Sequence, residues 1–224
     1  MQSAAVENYL KATYSLQLEH DQVTTSMLAD RIGHAAPTVT GMLKKLASRK
    51  LVSYEPYQGV TLTKSGKAAA LEVIRHHRLL ETYLTRTLGI PWDRVHEEAE
   101  KLEHVLSEYL EGYIDEYLGH PASDPHGSPI PSPDLSIKEP ERLRLSDLPA
   151  GSLARLVEAG DREPGLLKRL SEMHLVLKTQ LQVLEVEPID GLITILVAGQ
   201  KHVLGQTAAS QIIVRKLKRG ERNV

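Results

Sequence analysis

The chain contains 224 residues, more than one average domain, so its length predicts two or three domains. Charged residues make up 25% of it, no apolar run approaches the ~20 residues of a membrane span, and the first residues lack an apolar secretory leader. We therefore expect a soluble cytoplasmic protein. Cysteine is absent, which excludes disulfides and thiolate metal sites and leaves imidazole, carboxylate, thioether and carbonyl groups as possible metal ligands.

The net charge of -2 divides unevenly along the chain. Residues 1–70 carry eight Lys and Arg against five Asp and Glu, whereas residues 71–120 carry five against eleven. A basic start is typical of a module that contacts phosphates, and an acidic segment that also holds five of the ten histidines favours cations. Charge alone fits an ordinary solvated acidic helix more often than a binding site, so the spacing of the residues has to decide.

The N-terminal segment has the pattern of three helices followed by a β-hairpin. The first helix is predicted to run to about Leu18, and the second to begin at Thr24 or Thr25. Gly33 is a normal helix end, and Pro37 suits the first position of a third helix. Residues 51–63 then form two short β-rich runs around a turn, which predicts a wing. The combination favours a winged helix-turn-helix over a plain three-helix bundle.

The third helix is predicted to recognise DNA. Its apolar stripe leaves small and hydroxyl-bearing residues on the outer face of its N-terminal end, where they can approach base edges and thymine methyl groups. Lysines further along the same helix can contact phosphates. The predicted DNA-binding residues are Ala36, Pro37, Thr38, Thr40, Gly41 and Lys44.

The next two helices, predicted from Lys67 to about Leu88 and from about Asp93 to Leu118, carry histidines and glutamates at helical spacing. At about 100° per residue, those of the second helix fall on one face. That face borders an apolar stripe made of Leu102, Leu106, Tyr109, Leu110 and Tyr113. Ionisable groups at such a boundary are costly unless they are paired or coordinate a cation. The candidate metal ligands are His77, Glu81, His96, Glu100, Glu103 and His104.

These six residues do not match the common catalytic metal motifs. The zinc-protease pattern needs a second histidine after His96, and the ferritin-like di-iron pattern needs a glutamate where Lys101 stands. Three histidines and three glutamates suit one or two hexacoordinate ions with nitrogen and oxygen donors, for which Mn(II) or Fe(II) fits best. Spacing alone leaves open a surface pair of His77 with Glu81, with the other residues in local salt bridges.

The C-terminal part has a different composition. Gly119 to about Pro140 is rich in Pro, Gly and Ser, which predicts a loop or linker rather than a packed element, with a structural role for His126. The last eighty or so residues predict short strands at 152–157, 180–187, 192–197 and 211–217 and a helix near 164–173. This pattern favours a small β-barrel.

Over essentially its whole length, the chain resembles the DtxR/MntR family of metal-dependent transcriptional repressors. The motifs that carry the resemblance lie in order along the chain and are Glu7-Asn-Tyr-Leu-Lys-Ala-Thr-Tyr14, Ala36-Pro-Thr-Val-Thr40, His77-Arg-Leu-Leu-Glu81, Val95-His-Glu-Glu-Ala-Glu-Lys-Leu-Glu-His104 and Asp124-Pro-His-Gly-Ser-Pro-Ile-Pro131. The run from Leu167 to Leu177 is similar to the SH3-like FeoA module that many members carry. The resemblance implies an α+β multidomain protein: a winged helix-turn-helix at 1–66, an all-helical dimerisation and metal-binding domain with a Pro-rich linker at 67–140, and an SH3-like β-barrel at 141–224.

The resemblance also implies two sets of metal ligands. His77, Glu81 and His96 would belong to one site, and Glu100, Glu103 and His104 would form another with the first helix. Where manganese-type members carry two carboxylates on that helix, this chain has Asn8, which can ligate only through its amide oxygen, and Lys11, which cannot ligate while it is protonated.

Two further positions follow from the resemblance. Glu100 stands where iron-sensing relatives carry cysteine, and a carboxylate there favours Mn(II), with Fe(II) as the second choice. Glu163 falls where the FeoA module of some relatives donates a carboxylate to the first site.

The predicted function is that of a homodimeric regulator, a repressor rather than an enzyme, which binds a palindromic operator of metal-homeostasis genes when it is loaded with Mn(II) or Fe(II). A metal-dependent hydrolase is one alternative, although the sequence supplies no nucleophile. The other is a metal-independent winged-helix regulator or adaptor with a peptide-binding β-barrel.

Overall fold

The computed structural model describes residues 2–56, 58–138, 143–160 and 164–217. The chain divides into two compact units. Unit 1 comprises Met1–Leu80, Glu100–Gly119 and Ile130–Ile137, and unit 2 comprises Glu81–Ala99, His120–Pro129 and Lys138–Val224. Among the described residues, no helix combines the length and the apolar character that crossing a membrane requires.

Unit 1 begins with three helices, α1 (Ala4–Glu19), α2 (Thr25–Ile32) and α3 (Ala36–Ser48). The hydroxyl of Thr24 accepts a hydrogen bond from the backbone N–H of Met27 and caps α2, and Gly33, in the left-handed conformation at φ 75°, ends it. The largest side chains that lie fully buried between these helices are Tyr9, Leu10, Leu28, Leu43 and Leu46. The three predicted helices are therefore confirmed.

The wing follows as β1 (Val52–Glu55) and β2 (Gly59–Leu62), which pair antiparallel. Gly59 has a φ of 94°, and a Cβ atom there would lie 2.7 Å from the carbonyl oxygen of Val23. Only glycine fits this turn without strain, because the hairpin passes so close to the backbone before α2. The predicted winged helix-turn-helix is confirmed.

The predicted single helix from Asp93 to Leu118 is wrong. After α4 (Lys64–Leu88), which begins three residues before the predicted start, the chain forms α5 (Val95–Leu102) and a separate helix α6 (Glu108–Tyr117). Ser107 starts α6 by accepting a hydrogen bond from the N–H of Leu110, which is an ordinary N-cap. Glu103 and His104 consequently lie in the turn between two helices and not on a helical stripe.

The break also changes which side chains of this region are buried. Of the predicted apolar stripe only Leu106 is buried, and the other members are exposed by 41 to 75%: Leu102, Tyr109, Leu110 and Tyr113. Restarting the helix at Ser107 shifts the phase of α6, so that Ile114 and Asp115 face the interior instead. The stripe is therefore an exposed apolar surface within a single chain.

Unit 2 contains a six-stranded antiparallel sheet in the order β3-β8-β4-β5-β6-β7. Its elements are β3 (Leu143–Arg144), β4 (Leu153–Ala159), α7 (Pro164–Glu172), β5 (Gln180–Val186), β6 (Ile193–Val197), β7 (Gln200–Leu204), α8 (Gln206–Ser210) and β8 (Ile212–Lys216). Four strands and α7 agree with the sequence prediction. The sequence did not predict the edge strands β3 and β7, because β3 has only two residues and β7 lacks an alternating apolar face.

The prediction of an unpacked linker from Gly119 is wrong for residues 120–129. Asp124, His126 and Ser128 are almost completely buried, with 4%, 0% and 6% exposure. The segment has no helix of its own, and the Asp124 carboxylate orders it by accepting hydrogen bonds from the N–H groups of His126 and Ser128 at 2.8 and 3.0 Å. Irregular backbone can be buried when a short polar side chain of the same loop accepts hydrogen bonds from its N–H groups.

Candidate metal centre and DNA-binding face

Four potential ligands meet around Glu81 in unit 2, and we call Glu81, His96, Asp124 and His126 the Glu81 cluster. The Glu81 carboxylate is fully buried; one oxygen lies 3.1 Å from Nδ1 of His96 and the other 3.4 Å from Nδ1 of His126. Glu81, Asp124 and His126 each offer a ligand atom, and these atoms all lie within 4.8 Å of one another. Three different chain segments thus deliver nitrogen and oxygen donors to one place.

The ring of His126 is oriented by a backbone contact. Its Nε2 lies 2.6 Å from the carbonyl oxygen of Trp92, and because a carbonyl can only accept, this nitrogen carries a proton. In the neutral ring the lone pair is then on Nδ1, the atom that faces Glu81. A hydrogen bond from the outer ring nitrogen is the usual way in which proteins orient a metal-binding histidine.

Strand β4 holds the loop that carries Asp124 and His126. The N–H of Ala159 donates to the carbonyl of His126 at 3.0 Å, and the hydroxyl of Ser128 donates to the Glu158 carboxylate at 2.9 Å. Gly127 has a φ of 93°, and a Cβ atom there would lie 2.0 Å from the carbonyl oxygen of Val157. This close approach requires glycine and fixes the donors against the sheet.

The Glu81 cluster has the composition of a divalent-metal site. Two carboxylates and two imidazoles are mostly removed from water, which is costly for charged groups unless a cation offsets them. Mixed oxygen and nitrogen donors suit Mn(II) and Fe(II), so the residues fit such an ion. His77 lies one turn before Glu81 on α4, and the two side chains therefore leave the helix on the same face.

Sequence reasoning found Glu81 and His96 but not Asp124, and it gave His126 only a structural role. The signal that was available is the Asp-x-His spacing beside Gly127, in a stretch otherwise typical of loops. Periodicity cannot detect ligands of this kind, because an irregular segment has no repeating face.

A second group of ionisable residues lies in unit 1. We call it the Glu103 cluster, and its members are Glu7, Lys11, Glu100, Glu103 and His104. The ammonium of Lys11 donates to one oxygen of the fully buried Glu103 carboxylate at 2.6 Å and lies 3.7 Å from Glu100. The other oxygen of Glu103 lies 2.5 Å from Nδ1 of His77. His104 contacts Glu7 at 2.6 Å through Nδ1 and Glu103 at 3.4 Å through Nε2.

The electrostatics of this cluster favour an ionised Glu103. Burial disfavours its charged form, but the hydrogen bond from His77 and the charge of Lys11 outweigh burial and lower the pKa of the carboxyl below its usual range. Glu103 is therefore a buried carboxylate with a cation of the chain itself beside it.

A third buried group connects α4 to α6. Arg75 donates to Glu111 at 2.5 Å, to Asp115 at 2.9 Å and to the carbonyl of Pro131 at 2.7 Å. His76 lies 2.8 Å from the other oxygen of Glu111. Burial opposes ionisation of Glu111, yet the contacts with His76 and Arg75 lower the pKa of this carboxyl. These pairs hold α6 against α4.

The predicted DNA-binding residues lie in the first three quarters of α3, and most of them are accessible. Ala36, Pro37, Thr38, Gly41 and Lys44 are exposed, and beyond its chain neighbours and its own helix backbone, a Cβ atom placed on Gly41 would have no atom within 4 Å. Thr40 is half-buried and its hydroxyl donates to the carbonyl of Ala36 at 2.9 Å. The buried stripe of Val39, Leu43 and Leu46 holds the opposite side of the helix in the core.

Comparison with known proteins agrees with this arrangement. Residues 1–60 match the N-terminal DNA-binding domain of iron-dependent repressors, residues 63–132 match their metal-binding and dimerisation domain, and residues 143–216 match the FeoA domain. The iron-dependent repressor IdeR of Mycobacterium leprae is 30% identical over 223 residues, which cover 94% of this chain and 96% of that protein. The chain belongs to the iron-dependent repressor family.

Solved structures place this family member near metal-loaded repressors. A manganese-dependent transcriptional repressor in complex with manganese shares 39% identity, with a TM-score of 0.90 over 95% of this chain and all of that one. ScaR with bound Zn²⁺ shares 31% identity, with a TM-score of 0.85 over 95% of this chain and 99% of that one. The DtxR/MntR resemblance and the predicted fold class are confirmed, and the predicted function is that of this family.

The family resemblance also implied Asn8 and Glu163 as ligands. Asn8 is exposed on α1, whereas its neighbour Glu7 is buried and contacts His104. The first-helix residue nearest to the implied second site is therefore Glu7 or Lys11 and not Asn8. Glu163 lies outside the described residues.

Proposed function

We propose that this chain is a metal-responsive transcriptional regulator, which represses genes of metal-ion homeostasis by binding their operators as a homodimer when it is loaded with Mn(II) or Fe(II). The observation that carries the proposal is the combination, in one family member, of an accessible recognition helix with the buried Glu81 cluster. The winged helix supplies DNA recognition, and the buried donors supply a reason for DNA binding to depend on a cation.

Glu81, His96, Asp124 and His126 would hold the ion, together with His77 on the same face of α4. When bound, a divalent cation supplies the positive charge that offsets the two buried carboxylates. These residues offer oxygen and imidazole donors and the chain has no cysteine, which favours Mn(II) over softer or thiolate-preferring ions. Affinity alone would still rank Fe(II) and later metals above Mn(II), so the cellular supply of each metal contributes to the choice.

The exposed end of α3 would enter the major groove. Thr38 and Gly41 are small enough to approach base edges, and Lys44 further along the same exposed surface can contact a phosphate. A dimer presents two such helices, and they match a palindromic operator when their half-sites lie about one helical turn apart.

The exposed apolar surface of α5 and α6 is the dimer interface in this proposal. Tyr109 is 75% exposed and Tyr113 57%, and the neighbouring Leu110 is 51% exposed. Exposed apolar surface on this scale is expected to be covered by a partner. Tyr113→Glu should therefore yield monomers in light scattering at concentrations where Gly112→Ser, at an exposed neighbouring position, remains dimeric.

The metal response requires only a modest coupling free energy. A difference of about 1–3 kcal/mol between loaded and metal-free protein changes operator affinity roughly 5- to 150-fold. By linkage, operator DNA must raise the affinity for the metal by the same factor.

Fluorescence anisotropy of a labelled palindromic operator, at fixed salt with and without Mn(II), tests the proposal. We expect Mn(II) to tighten binding of the wild-type chain at least fivefold and a chelator to reverse the change. Operator binding that ignores both Mn(II) and the chelator would instead support the metal-independent regulator. Binding that responds to Fe(II) but not to Mn(II) would keep the switch and change the metal.

A further inference from the structure

The Glu103 cluster already contains a cation, and we infer that the ammonium of Lys11 is its resident counter-ion. In this chain the cluster then binds no divalent metal, and every metal ion belongs to the Glu81 cluster. The inference rests on the proposed function for its biological meaning, but its evidence concerns only the residues of unit 1.

The ammonium of Lys11 lies close to two carboxylates of the cluster. Its Nζ atom lies 2.6 Å from Glu103, a distance typical of a strong charge-assisted hydrogen bond, and 3.7 Å from Glu100. The Lys11 side chain is only 19% exposed and the Glu103 side chain is fully buried. The ammonium therefore lies between the two carboxylates that would otherwise offer oxygen ligands to a metal.

The other polar atoms of the cluster also have partners within the protein. The second oxygen of Glu103 is engaged by His77 at 2.5 Å, and Nδ1 of His104 is engaged by Glu7 at 2.6 Å. A divalent ion would have to displace the lysine or lie beside its charge in a poorly screened environment. Within residues 2–56, 58–138, 143–160 and 164–217, every set of three acidic or histidine donors that converges within 4.8 Å contains Glu81, and none contains Glu103.

The consequence is a connection that does not depend on metal. The pairs Lys11–Glu103 and Glu7–His104 join α1 of the winged helix to the turn after α5 through protein groups alone. Glu103 contacts both Lys11 and Nδ1 of His77, and it is part of this connection and not a metal ligand. The metal response is left to the Glu81 cluster.

Counting bound ions tests the inference directly. The full chain is dialysed to equilibrium against saturating Mn(II), and free and bound Mn(II) are measured by electron paramagnetic resonance. We expect Glu103→Gln to bind as many ions per chain as the wild type, and Glu81→Gln to lose binding. Lys11→Glu, which places a carboxylate beside Glu100 and Glu103, should gain one ion per chain, whereas the exposed control Lys201→Glu should gain none.

Two results would overturn the inference: loss of one ion by Glu103→Gln while the Glu81 cluster is intact, or equal ion counts for Lys11→Glu and Lys201→Glu. If Lys11→Glu does not unfold cooperatively, Glu103→Gln and Lys11→Arg together test the inference. Arginine keeps the positive charge, so Lys11→Arg should bind as many Mn(II) ions per chain as the wild type. If Mn(II) binds without changing operator affinity, the proposed function fails while the ion count still tests Lys11.

Amide hydrogen exchange in α1 provides a second test, which does not depend on counting ions. In metal-free protein, amide hydrogen exchange in α1 should be faster in Lys11→Met than in the wild type, because the connection between α1 and Glu103 is lost. Mn(II) should leave the exchange of wild-type α1 unchanged. Slower exchange on addition of Mn(II), abolished by Glu103→Gln, would show that an ion and not the lysine makes this connection.

Discussion

Glu81 and Glu103 are both fully buried carboxylates, and each contacts two histidines, yet their surroundings differ in one decisive respect. Glu103 has the ammonium of Lys11 at 2.6 Å, whereas Glu81 offers a ligand atom within 4.8 Å of ligand atoms of Asp124 and His126. Histidines and glutamates at helical spacing are therefore not sufficient for a metal site. At Glu103 the fold brings a lysine to the carboxylate, and that ammonium supplies positive charge where a metal would otherwise lie.

The largest effect should come from removing the central carboxylate of the Glu81 cluster. Glu81→Gln keeps the size of the side chain but removes the charge that attracts a cation. We expect its Mn(II) affinity to fall by more than the roughly 10- to 100-fold loss typical of changes around a metal site, as measured by calorimetry, and its operator binding to stop responding to Mn(II). Glu97→Gln, on the exposed side of α5, is the matched control. Equal losses of Mn(II) affinity in both variants would contradict the assignment of the metal to the Glu81 cluster.

The next effect concerns the stability of the Glu103 cluster. Lys11→Met removes the ammonium but retains much of the aliphatic stem, so a buried carboxylate loses its counter-ion. Breaking a fully buried pair costs about 3–5 kcal/mol, and since Lys11 is 19% exposed we expect a cost of ~2 kcal/mol in urea unfolding of metal-free protein. Lys201→Met should leave stability within ~0.5 kcal/mol of the wild type. An equally small effect at Lys11 would mean that the lysine does not balance Glu103.

A smaller effect is expected at Glu111, a carboxylate that, like Glu103, has cationic partners of the chain itself. Its pKa is lowered in the folded protein, so its stabilising contribution is present above the ordinary glutamate pKa of about 4.3 and is lost as the pH falls through the lowered value. Between about pH 6 and about pH 3, Glu111→Gln should therefore lose less unfolding free energy than the wild type. Glu116→Gln, at an exposed position of α6, should follow the wild-type profile, and identical profiles for all three proteins would contradict the assignment.

The smallest effect is expected on operator binding, from the solvent-exposed Lys44. Lys44 on α3 is exposed, and Lys44→Ala should weaken operator binding a few-fold and lower the slope of log K against log salt by ~0.9. Mn(II) stoichiometry should not change. Titrations of operator binding at several salt concentrations, with Lys201→Ala for comparison, measure this. An unchanged slope would remove Lys44 from the phosphate contacts.

Much of the fold follows from local pattern. Thr24, Gly33 and Pro37 mark helix boundaries by chemistry that acts within a few residues, and the winged helix was predictable for that reason. The break between α5 and α6 was not, because the apolar spacing continues through it while Ser107 provides a cap. Edge strand β7 was missed because its side chains are largely exposed and polar.

The candidate site was predictable only where helical spacing displays it. His77, Glu81 and His96 lie on or at the start of helices, whereas Asp124 and His126 reach Glu81 from an irregular loop. The pairing of Lys11 with Glu103 joins residues 92 positions apart, and a contact of that separation leaves no local signature in the sequence. In our proposal, long-range packing therefore determines which of the two clusters is available to a metal.

The contact of Gly127 with strand β4 has a consequence for how the chain can be divided. A chain shortened before β4 would retain Glu81, His96, Asp124 and His126, but it would lose the backbone hydrogen bond from Ala159 and the Glu158 carboxylate that hold the donor loop. The C-terminal sheet then holds the loop of the proposed site in place, even though none of the four proposed ligands comes from the sheet. For that reason we expect metal affinity to be a property of the intact chain and not of its helical part alone.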